Sequence, residues 1–232
     1  MAPPEAQMSF IKNLASSDRK LRTASLESLQ LFLSTRSALT VTDASKLWKG
    51  LYYAHWMSDR PLPQQRLANE LAALADALPN AACLAPWFDG FWTVLGQEWP
   101  MIDKLRLDKF LLLVRRVFAV QLRCARKHGD EVERTLQDWP FEASGDLRKV
   151  PLGLRLHIMD IWVDELEKAE LLAPEHGEFL GRVGGMVEGL KHCPIKQVRE
   201  RARESHDDPR LPWGVEKEVD EDEDDEWGGL DD

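Results

Sequence analysis

Five basic side chains lie close together along the chain and could bind the phosphates of a nucleic acid. They are Arg115, Arg116, Arg123, Arg126 and Lys127. On a helix, Arg116, Arg123 and Lys127 fall on one strip, because spacings of seven and eleven residues return to the same face. Such a strip attracts phosphates and releases their counterions. The structural alternative is that these cations complement a helix C-terminus or pair with carboxylates of the next helix.

Aromatic side chains of one predicted helix form a second candidate binding surface. Trp48, Tyr52 and Trp56 share a stripe, whereas Tyr53 lies on the far side of that helix near Lys49. Exposed rings stack on bases or receive a partner's side chain. Packing between helices is the other explanation for the stripe. Lys49, Tyr53 and Trp56 are therefore candidate contacts to RNA or to a protein partner.

The residue patterns of common enzyme active sites are missing from this sequence. It contains no GxxxxGK, GxSxG or HExxH motif. The four glycines in residues 181–189 lie in a helical pattern without a preceding strand, so helix packing explains them better than a nucleotide loop. His192 and Cys193 have no second Cys or His at a ligand spacing, and structural zinc needs four ligands. We therefore predict no catalytic residue, no metal and no cofactor.

The acidic net charge of −10 belongs to the C-terminal tail. Of the 40 acidic residues, eleven follow residue 215, against one of the 30 basic residues, so the preceding chain is electrically balanced. A block of like charges cannot bury enough apolar surface to offset its ordering entropy. We expect residues 206–232 to be a disordered acidic tail, with Trp213 and Trp227 as anchor points for a partner. Residues 1–7 are expected to be disordered as well.

Three distant cysteines, Cys83, Cys124 and Cys193, indicate a reducing compartment rather than a disulfide framework. The N-terminal residues lack the apolar run of a secretory signal. No apolar run in the middle of the chain is long enough to span a bilayer. These features predict an intracellular protein that has neither a membrane nor a small-molecule substrate as a partner.

Helical periodicity without strand alternation predicts an all-α domain over residues 8–205. Thr42 or Asp43 is expected to cap the second long helix, and Leu21 is expected to pack inward. Short aliphatic–Arg repeats favour a HEAT-like helical repeat (an α-solenoid) over a bundle. The predicted helices span residues 8–14, 18–34, 43–57, 61–78, 80–98, 103–128, 131–136, 151–172, 174–190 and 195–204.

The segment LTVTDASKLWKGLYYAHWMSDRPLPQQRLANELA resembles the ribosomal RNA-processing protein 1 family, also called the Nop52-like family. FIKNLASSDRKLRTASLESLQLFL before it and FWTVLGQEWPMIDKLRLDKFLLLVRRVF after it resemble that family too, so the similarity covers roughly residues 8–205. The resemblance implies an α-helical nucleolar protein of precursors of the large ribosomal subunit, needed to mature its RNA. It further implies other large-subunit assembly factors, ribosomal proteins and pre-rRNA as partners, with no known active site.

Our leading hypothesis is a non-catalytic ribosome-biogenesis factor, a scaffold in precursors of the large subunit (pre-60S particles) in the nucleolus. A general HEAT-type protein-binding adaptor in the nucleus, using its acidic tail on a basic client, is the alternative. Deleting residues 216–232 separates the two, because the adaptor would lose its client whereas the scaffold would still join its particle. A nuclease is the enzyme alternative, and it predicts metal-dependent cleavage by the pure protein.

Overall fold

The computed structural model describes residues 13–14, 16 and 18–214. No strand occurs in this part of the chain, so the predicted all-α fold is confirmed. The α-helices of ten or more residues described there are α1 Arg19–Ser34, α2 Val41–Trp56, α3 Pro61–Ala73, α4 Ala81–Glu98, α5 Leu107–Ala125, α6 Gly129–Asp138, α7 Leu152–Lys168, α8 Gly177–Leu190 and α9 Lys196–His206. Three short 3₁₀ helices lie between them, at Leu74–Ala77, Trp99–Met101 and Pro174–His176.

Helix α2 begins before the predicted residues. The Thr40 hydroxyl accepts a hydrogen bond from the backbone N–H of Asp43 (3.1 Å) and donates one to the Asp43 carboxylate (2.9 Å). The prediction that Thr42 or Asp43 caps this helix was therefore wrong. Asp43 instead lies in the first turn, where its negative charge favours the helix N-terminus. Pro61 opens α3 as predicted, because its fixed φ angle suits a first helical position.

Several other helices differ from the sequence prediction at their ends or faces. Helix α3 ends at Ala73, where a 3₁₀ helix follows, and α7 ends at Lys168, because Glu170 has a positive φ of 60°. Helix α5 begins at Leu107 rather than at residue 103, because the Asp103 carboxylate accepts the N–H groups of Leu105 (3.0 Å) and Arg106 (3.1 Å) in a turn before it. In α1, Leu21 is exposed, contrary to the expectation that it packs inward. Helix α1 buries other leucines, which are Leu26, Leu29 and Leu33.

The helices stack in two layers, and from α2 onward each helix packs on the next but one along the chain. Helices α2, α4, α6 and α8 form one layer, and α3, α5, α7 and α9 form the other. This alternation is consistent with the predicted α-solenoid. The connections 57–60 and 99–106 meet at one edge of the stack, which we call the first edge. The connections 74–80 and 126–128 meet at the opposite, second edge.

The core between the layers is rich in aromatic rings and positions α2 firmly. The Trp48 indole N–H donates to the carbonyl of Trp87 (3.0 Å), and Trp48 also packs edge-on to Phe91. Gly90 of α4 lies directly against Ala44 of α2, and a Cβ atom at Gly90 would be 2.7 Å from the Ala44 Cβ. The two helices therefore approach more closely than any larger side chain at position 90 permits.

The described chain stays packed on the body as far as residue 214, beyond the predicted start of the tail at 206. The Trp213 indole N–H donates to the carbonyl of His206 (3.1 Å), and its ring covers Gly184 of α8. Leu211 is buried. Trp213 is therefore anchored on its own chain, because Gly184 leaves room for an indole ring. The predicted disordered segment 1–7, the tail from residue 215 and the proposed anchor Trp227 lie outside the described residues.

Candidate functional site

The aromatic stripe of α2 is divided between the core and the surface. Trp48 and Tyr52 are buried, and Tyr52 stacks on Phe110 of α5 with 4.7 Å between ring centroids. Trp56 is half-buried, whereas Tyr53 is 46% exposed. Inter-helix packing therefore explains the first two rings, and only Trp56 and Tyr53 remain available to a partner.

Lys49 and Tyr53 converge on one carboxylate of the neighbouring helix. The Lys49 ammonium forms an ion pair with Glu98 at the end of α4. The Tyr53 hydroxyl donates a hydrogen bond to the other carboxylate oxygen of Glu98 (3.3 Å). The Lys49 nitrogen also lies 5.6 Å from the centroid of the Tyr53 ring. Glu98 thus balances the charge of Lys49, and sequence reasoning missed it because the pairing depends on how α2 and α4 align.

Trp56 is held in place by two cations that precede or open α5. The Arg106 guanidinium carbon lies 4.8 Å from the centroid of the Trp56 ring. The Lys109 ammonium donates to the carbonyls of Trp56 (2.7 Å) and Ser58 (3.0 Å). Because the last carbonyls of a helix lack intrahelical partners, Lys109 completes the C-terminus of α2. Burial lowers the pKa of Lys109, although the group remains hydrogen-bonded.

Large apolar side chains are exposed around these residues at the first edge. We call them the apolar surface, and its members are Tyr53, Met57, Leu62, Met101 and Leu105. Leu105 is 93% exposed, so no part of the described chain covers it. Grouped exposed apolar side chains mark interaction sites, and methionines adapt readily to different partners. The predicted contacts at Lys49, Tyr53 and Trp56 thus lie beside a candidate protein-binding surface.

Three of the five basic residues in the predicted cluster form ion pairs with neighbouring elements. Arg115 binds Glu165 (2.6 Å) and Asp164 (3.1 Å) of α7. Arg126 binds Glu170 (2.8 Å) after α7, and Arg123 binds Asp76 (3.5 Å) after α3. The structural role that the sequence left open therefore accounts for Arg115 and Arg126, whose carboxylates belong to or follow the neighbouring helix α7.

Arg116 and Arg123 are exposed on α5, whereas Lys127 is exposed in the turn after it, because α5 ends at Ala125 and not at the predicted residue 128. We call these three residues the basic strip. Arg116 and Lys127 have neither an ion pair nor a side-chain hydrogen bond within residues 18–214. The pair between Arg123 and Asp76 is more than half exposed on both sides, so it is weak and open to exchange. Two members of the strip line a cleft of about 480 Å³ with other polar side chains, which are Asp76, Asn80 and His128. The strip and this cleft can accept the phosphates of a polyanion.

The two candidate surfaces lie at opposite edges of the stack. Arg106 contacts Trp56 at the first edge, and Arg123 contacts Asp76 at the second edge. Seventeen residues separate these two arginines, so a helical rise of 1.5 Å per residue places them about 25 Å apart. The structure therefore does not join the aromatic and basic predictions into one site. It offers two surfaces that separate partners can occupy together.

Within the described residues, no three His, Cys, Asp or Glu side chains are grouped so that they could hold a metal ion. The cleft at the second edge contains Cys124, and burial raises the pKa of this thiol to about 11. A thiol with that pKa stays protonated near neutral pH and is a poor nucleophile. None of the described helices is long and apolar enough to cross a membrane.

Acidification should weaken the fold through His55, which is buried between α2 and α5. Burial lowers its pKa from 6.5 to about 4, although a hydrogen bond to the carbonyl of Lys109 (3.1 Å) opposes this effect. The unfolded chain therefore binds this proton first as the pH falls. The free energy of unfolding should be constant above pH 6.5 and fall by up to about 3 kcal/mol toward pH 4.

Urea denaturation between pH 4.5 and pH 7.5 measures this effect. His55→Gln keeps a donor for the Lys109 carbonyl but cannot titrate, so its pH dependence should be distinctly flatter. The pKa of His157 is also lowered by burial, and it contributes the same background to both proteins. Identical slopes for the two proteins would show that His55 is not responsible.

Comparison with known proteins connects this architecture to a family. The family described as "Nucleolar protein, Nop52" matches residues 5–230, which is nearly the whole chain. The chain belongs to the Nop52 family. This membership confirms the resemblance carried by the α2–α3 segment and by the segments on either side of it. The description of the Nop52 family supports a nucleolar and nuclear location at the family level.

Relatives from several animals agree with this membership. The chain is 34% identical over 193 residues to human "Ribosomal RNA processing protein 1 homolog B", covering 78% of this chain and 26% of that protein. It is 33% identical over 189 residues to mouse "Ribosomal RNA processing protein 1 homolog A", covering 77% of this chain and 38% of that protein. The Drosophila melanogaster homolog is 32% identical over 187 residues, covering 75% of this chain and 27% of that protein. The matched region thus spans well under half of each of these Nop52-family relatives, all named for ribosomal RNA processing.

Proposed function

We propose that this chain is a non-catalytic scaffold in precursors of the large ribosomal subunit and contributes there to ribosomal RNA processing in the nucleolus. The observation that carries this proposal is the family match over residues 5–230. The names of the relatives, all ribosomal RNA processing proteins, supply the process. The large subunit and the scaffold role are our own additions, for which the two separated surfaces provide the physical basis.

A scaffold needs surfaces that bind different partners at once, and the stack offers two of them. The apolar surface at the first edge suits a protein partner, because exposed Met and aromatic side chains gain most from burial in an interface. We assign it to another large-subunit assembly factor or a ribosomal protein. The basic strip at the second edge suits the phosphate backbone of pre-rRNA. A helical stack of this kind holds the two partners apart, because Arg116 and Arg123 lie about 15 and 25 Å along the helix from Arg106.

The chemistry of the second edge favours binding over RNA cleavage. The pKa of the Cys124 thiol in the cleft is held far above neutral pH, and no second histidine of the described chain lines the cleft beside His128 to complete a general acid–base pair. The strip itself consists of arginine and lysine, which stay charged at neutral pH and bind without transferring protons. The purified chain should therefore leave a large-subunit pre-rRNA fragment intact in the presence of Mg²⁺ or Mn²⁺. Metal-dependent cleavage activity that copurifies with this chain would contradict the non-catalytic role.

Depletion of the protein from the cells that produce it tests the proposed process. Pulse-labelled RNA should then show large-subunit rRNA precursors accumulating and mature large-subunit rRNA declining. Small-subunit rRNA should mature at a near-normal rate, because the scaffold acts on the other particle. Normal processing of both RNAs after depletion would reject a role in ribosomal RNA processing, and a defect confined to the small subunit would reject the assignment to the large one.

Charge reversal on the basic strip should weaken RNA binding without unfolding the protein. Arg116→Glu combined with Arg123→Glu removes two phosphate contacts and adds two repulsive charges. We expect roughly tenfold weaker binding to large-subunit pre-rRNA fragments at about 100 mM salt, and a salt dependence smaller by about two ions. Both side chains are exposed, so circular dichroism and the melting temperature should change little.

A matched control is available at the other edge of the stack. Arg60 and Lys104 are exposed and form no ion pair within the described part of the chain. Arg60→Glu combined with Lys104→Glu makes the same change in net charge about 25 Å away from the second edge. The control should retain most of the RNA affinity. If the strip variant is folded and binds RNA as well as the wild-type chain does, the strip is not the RNA contact.

A further inference from the structure

The basic strip has charge that the described body does not neutralise. Its sequence neighbours Arg115, on α5, and Arg126, just after α5, are each paired with carboxylates that follow or belong to α7. Arg116 and Lys127 meet no carboxylate within residues 18–214, and Arg123 meets only an exposed one. Unpaired cations in a row attract any flexible polyanion that can reach them. The question is therefore which polyanion is held closest to α5.

The chain passes close to α5 four residues before the last described residue, Gly214. The Arg210 guanidinium binds Asp164 (3.0 Å) and Glu167 (2.8 Å) of α7. Asp164 also binds Arg115 of α5 (3.1 Å), so one carboxylate connects the two arginines. Trp213 is then fixed on Gly184. These contacts hold the last described residues between α7 and α8, and α7 packs beside α5.

The acidic tail is long enough to reach the basic strip. Eighteen residues follow Gly214, and residues 216–226 contain nine carboxylates and one lysine. A chain of eighteen residues spans about 60 Å when fully extended and about 25 Å on average as a random coil. Arg116 adjoins Arg115, which already shares a carboxylate with Arg210. The strip therefore lies within the volume that residues 216–226 can occupy without any change in the body.

We propose that the basic strip is a docking surface for the chain's own acidic segment 216–226, which occupies it in competition with RNA. The acidic carboxylates pair with Arg116, Arg123 and Lys127 and take the places of RNA phosphates. The competition with RNA rests on the proposed function, whereas the contact between tail and strip does not. The tail thereby restricts RNA binding to sites whose affinity is high enough to displace it.

The expected strength of the effect follows from tethering. A tether of this length gives a segment at its end an effective concentration of about 1 mM at the strip. If a short acidic segment binds three cations with a dissociation constant of about 0.1 mM, the tail weakens RNA binding roughly tenfold. The effect should shrink as salt rises, because both contacts are ionic and exposed.

Nuclear magnetic resonance tests the contact directly in the full chain. One variant keeps every residue of the tail but replaces the nine carboxylates of residues 216–226 with the matching amides, Glu→Gln and Asp→Asn. Backbone amide signals of Arg116, Arg123 and Lys127 should differ between wild type and this variant at low salt and converge at high salt. Unchanged signals at all three positions, with differences elsewhere or none, would overturn the proposal.

A second pair of variants shows whether the strip is the surface involved. With Arg116→Glu and Lys127→Glu, neutralising the tail should no longer shift the amide signals of α5. With Arg60→Glu and Lys104→Glu at the opposite edge, the shifts should persist as in the wild type. If the tail-dependent shifts are lost equally in both double variants, the cause is a general effect of net charge, and docking at the strip is overturned.

RNA binding separates this inference from the proposed function. The probe is an oligouridine of about 20 nucleotides, measured by fluorescence anisotropy. Tail neutralisation should tighten oligouridine binding roughly tenfold when the strip is intact. It should have little effect in the Arg116→Glu, Lys127→Glu background. Equal affinities with the strip intact would overturn the competition while leaving RNA binding in place. No binding by any variant, with the α5 shifts present, would reject the RNA contact and support the docked tail.

Discussion

Arg155→Met should lower the free energy of unfolding by roughly 3–5 kcal/mol, the largest effect that we expect from a single polar residue. Arg155 is 1% exposed and lies in α7 under the connection between α6 and α7. Its guanidinium donates to the carbonyl of Val150 (2.9 Å), the carbonyl of Asp146 (3.3 Å) and the carboxylate of Glu142 (2.6 Å). One buried side chain therefore provides hydrogen-bond donors for several acceptors of this loop.

The loss of Arg155 would leave its partners buried without compensation. Partial burial alone would raise the pKa of Glu142, yet hydrogen bonds from Ser144 and Arg155 lower it to about 2. Methionine fills a similar volume but donates no hydrogen bond, so the carbonyls and the carboxylate would lose their donor. Below pH 4.5 the Glu142 carboxylate stabilises the fold less, because acid protonates it in the unfolded chain first.

Guanidinium chloride denaturation at neutral pH measures the effect of Arg155→Met. Arg148→Met is the matched control, because Arg148 pairs with Asp146 in the same loop but is almost fully exposed. The control should change the unfolding free energy by less than about 0.5 kcal/mol. A loss below about 1 kcal/mol for Arg155→Met would show that the loop does not depend on this guanidinium.

Gly90→Val should destabilise the protein by at least about 3 kcal/mol, because it forces α2 and α4 apart. A Cβ atom at position 90 would lie 2.8 Å from both the Ala44 carbonyl carbon and the Ser45 nitrogen. These are backbone atoms of α2, so no side-chain rotation can relieve the contact. The alignment that brings Lys49 and Tyr53 to Glu98 depends on the same crossing, so the first edge should be distorted as well.

Thermal and chemical denaturation of two further variants define the cause. Ala44→Gly in the Gly90→Val background restores some space and should recover part of the lost stability. Gly185→Ala is the matched control for a helical glycine, because a Cβ there meets nothing within 4 Å. It should stabilise the protein by about 0.5–1 kcal/mol. A Gly90→Val protein as stable as the wild type would contradict the close crossing of α2 and α4.

Local sequence signals predicted the helices well. The Asn80 side chain caps α4 at the Cys83 N–H (3.1 Å), and Pro61 opens α3. Such signals are readable because the interacting atoms are at most a few residues apart. Thr40 was missed because Thr42 and Asp43 offer the same chemistry two or three residues later. The choice between such residues depends on where the preceding chain leaves the core, which a local pattern does not contain.

Contacts between stacked helices were beyond the sequence, and they decide which candidate residues are free. Arg115 and Arg116 are adjacent and chemically alike, yet only Arg115 faces the carboxylates of α7. How α5 and α7 are rotated and aligned against each other decides which of the two arginines is paired. Arg155 left one readable signal, a charge in the otherwise apolar stretch LGLRLHI, which indicates a buried partner. The identity of that partner required the structure.

The most direct measurement for the central claim is affinity purification of the tagged full-length chain from nucleolar extracts, with sequencing of the recovered RNA. We expect large-subunit pre-rRNA to be enriched over small-subunit pre-rRNA, together with large-subunit assembly factors and ribosomal proteins. The Arg116→Glu, Arg123→Glu variant should recover less of that RNA than the wild-type chain. Recovery of a stable folded chain without large-subunit pre-rRNA or assembly factors would contradict the scaffold role.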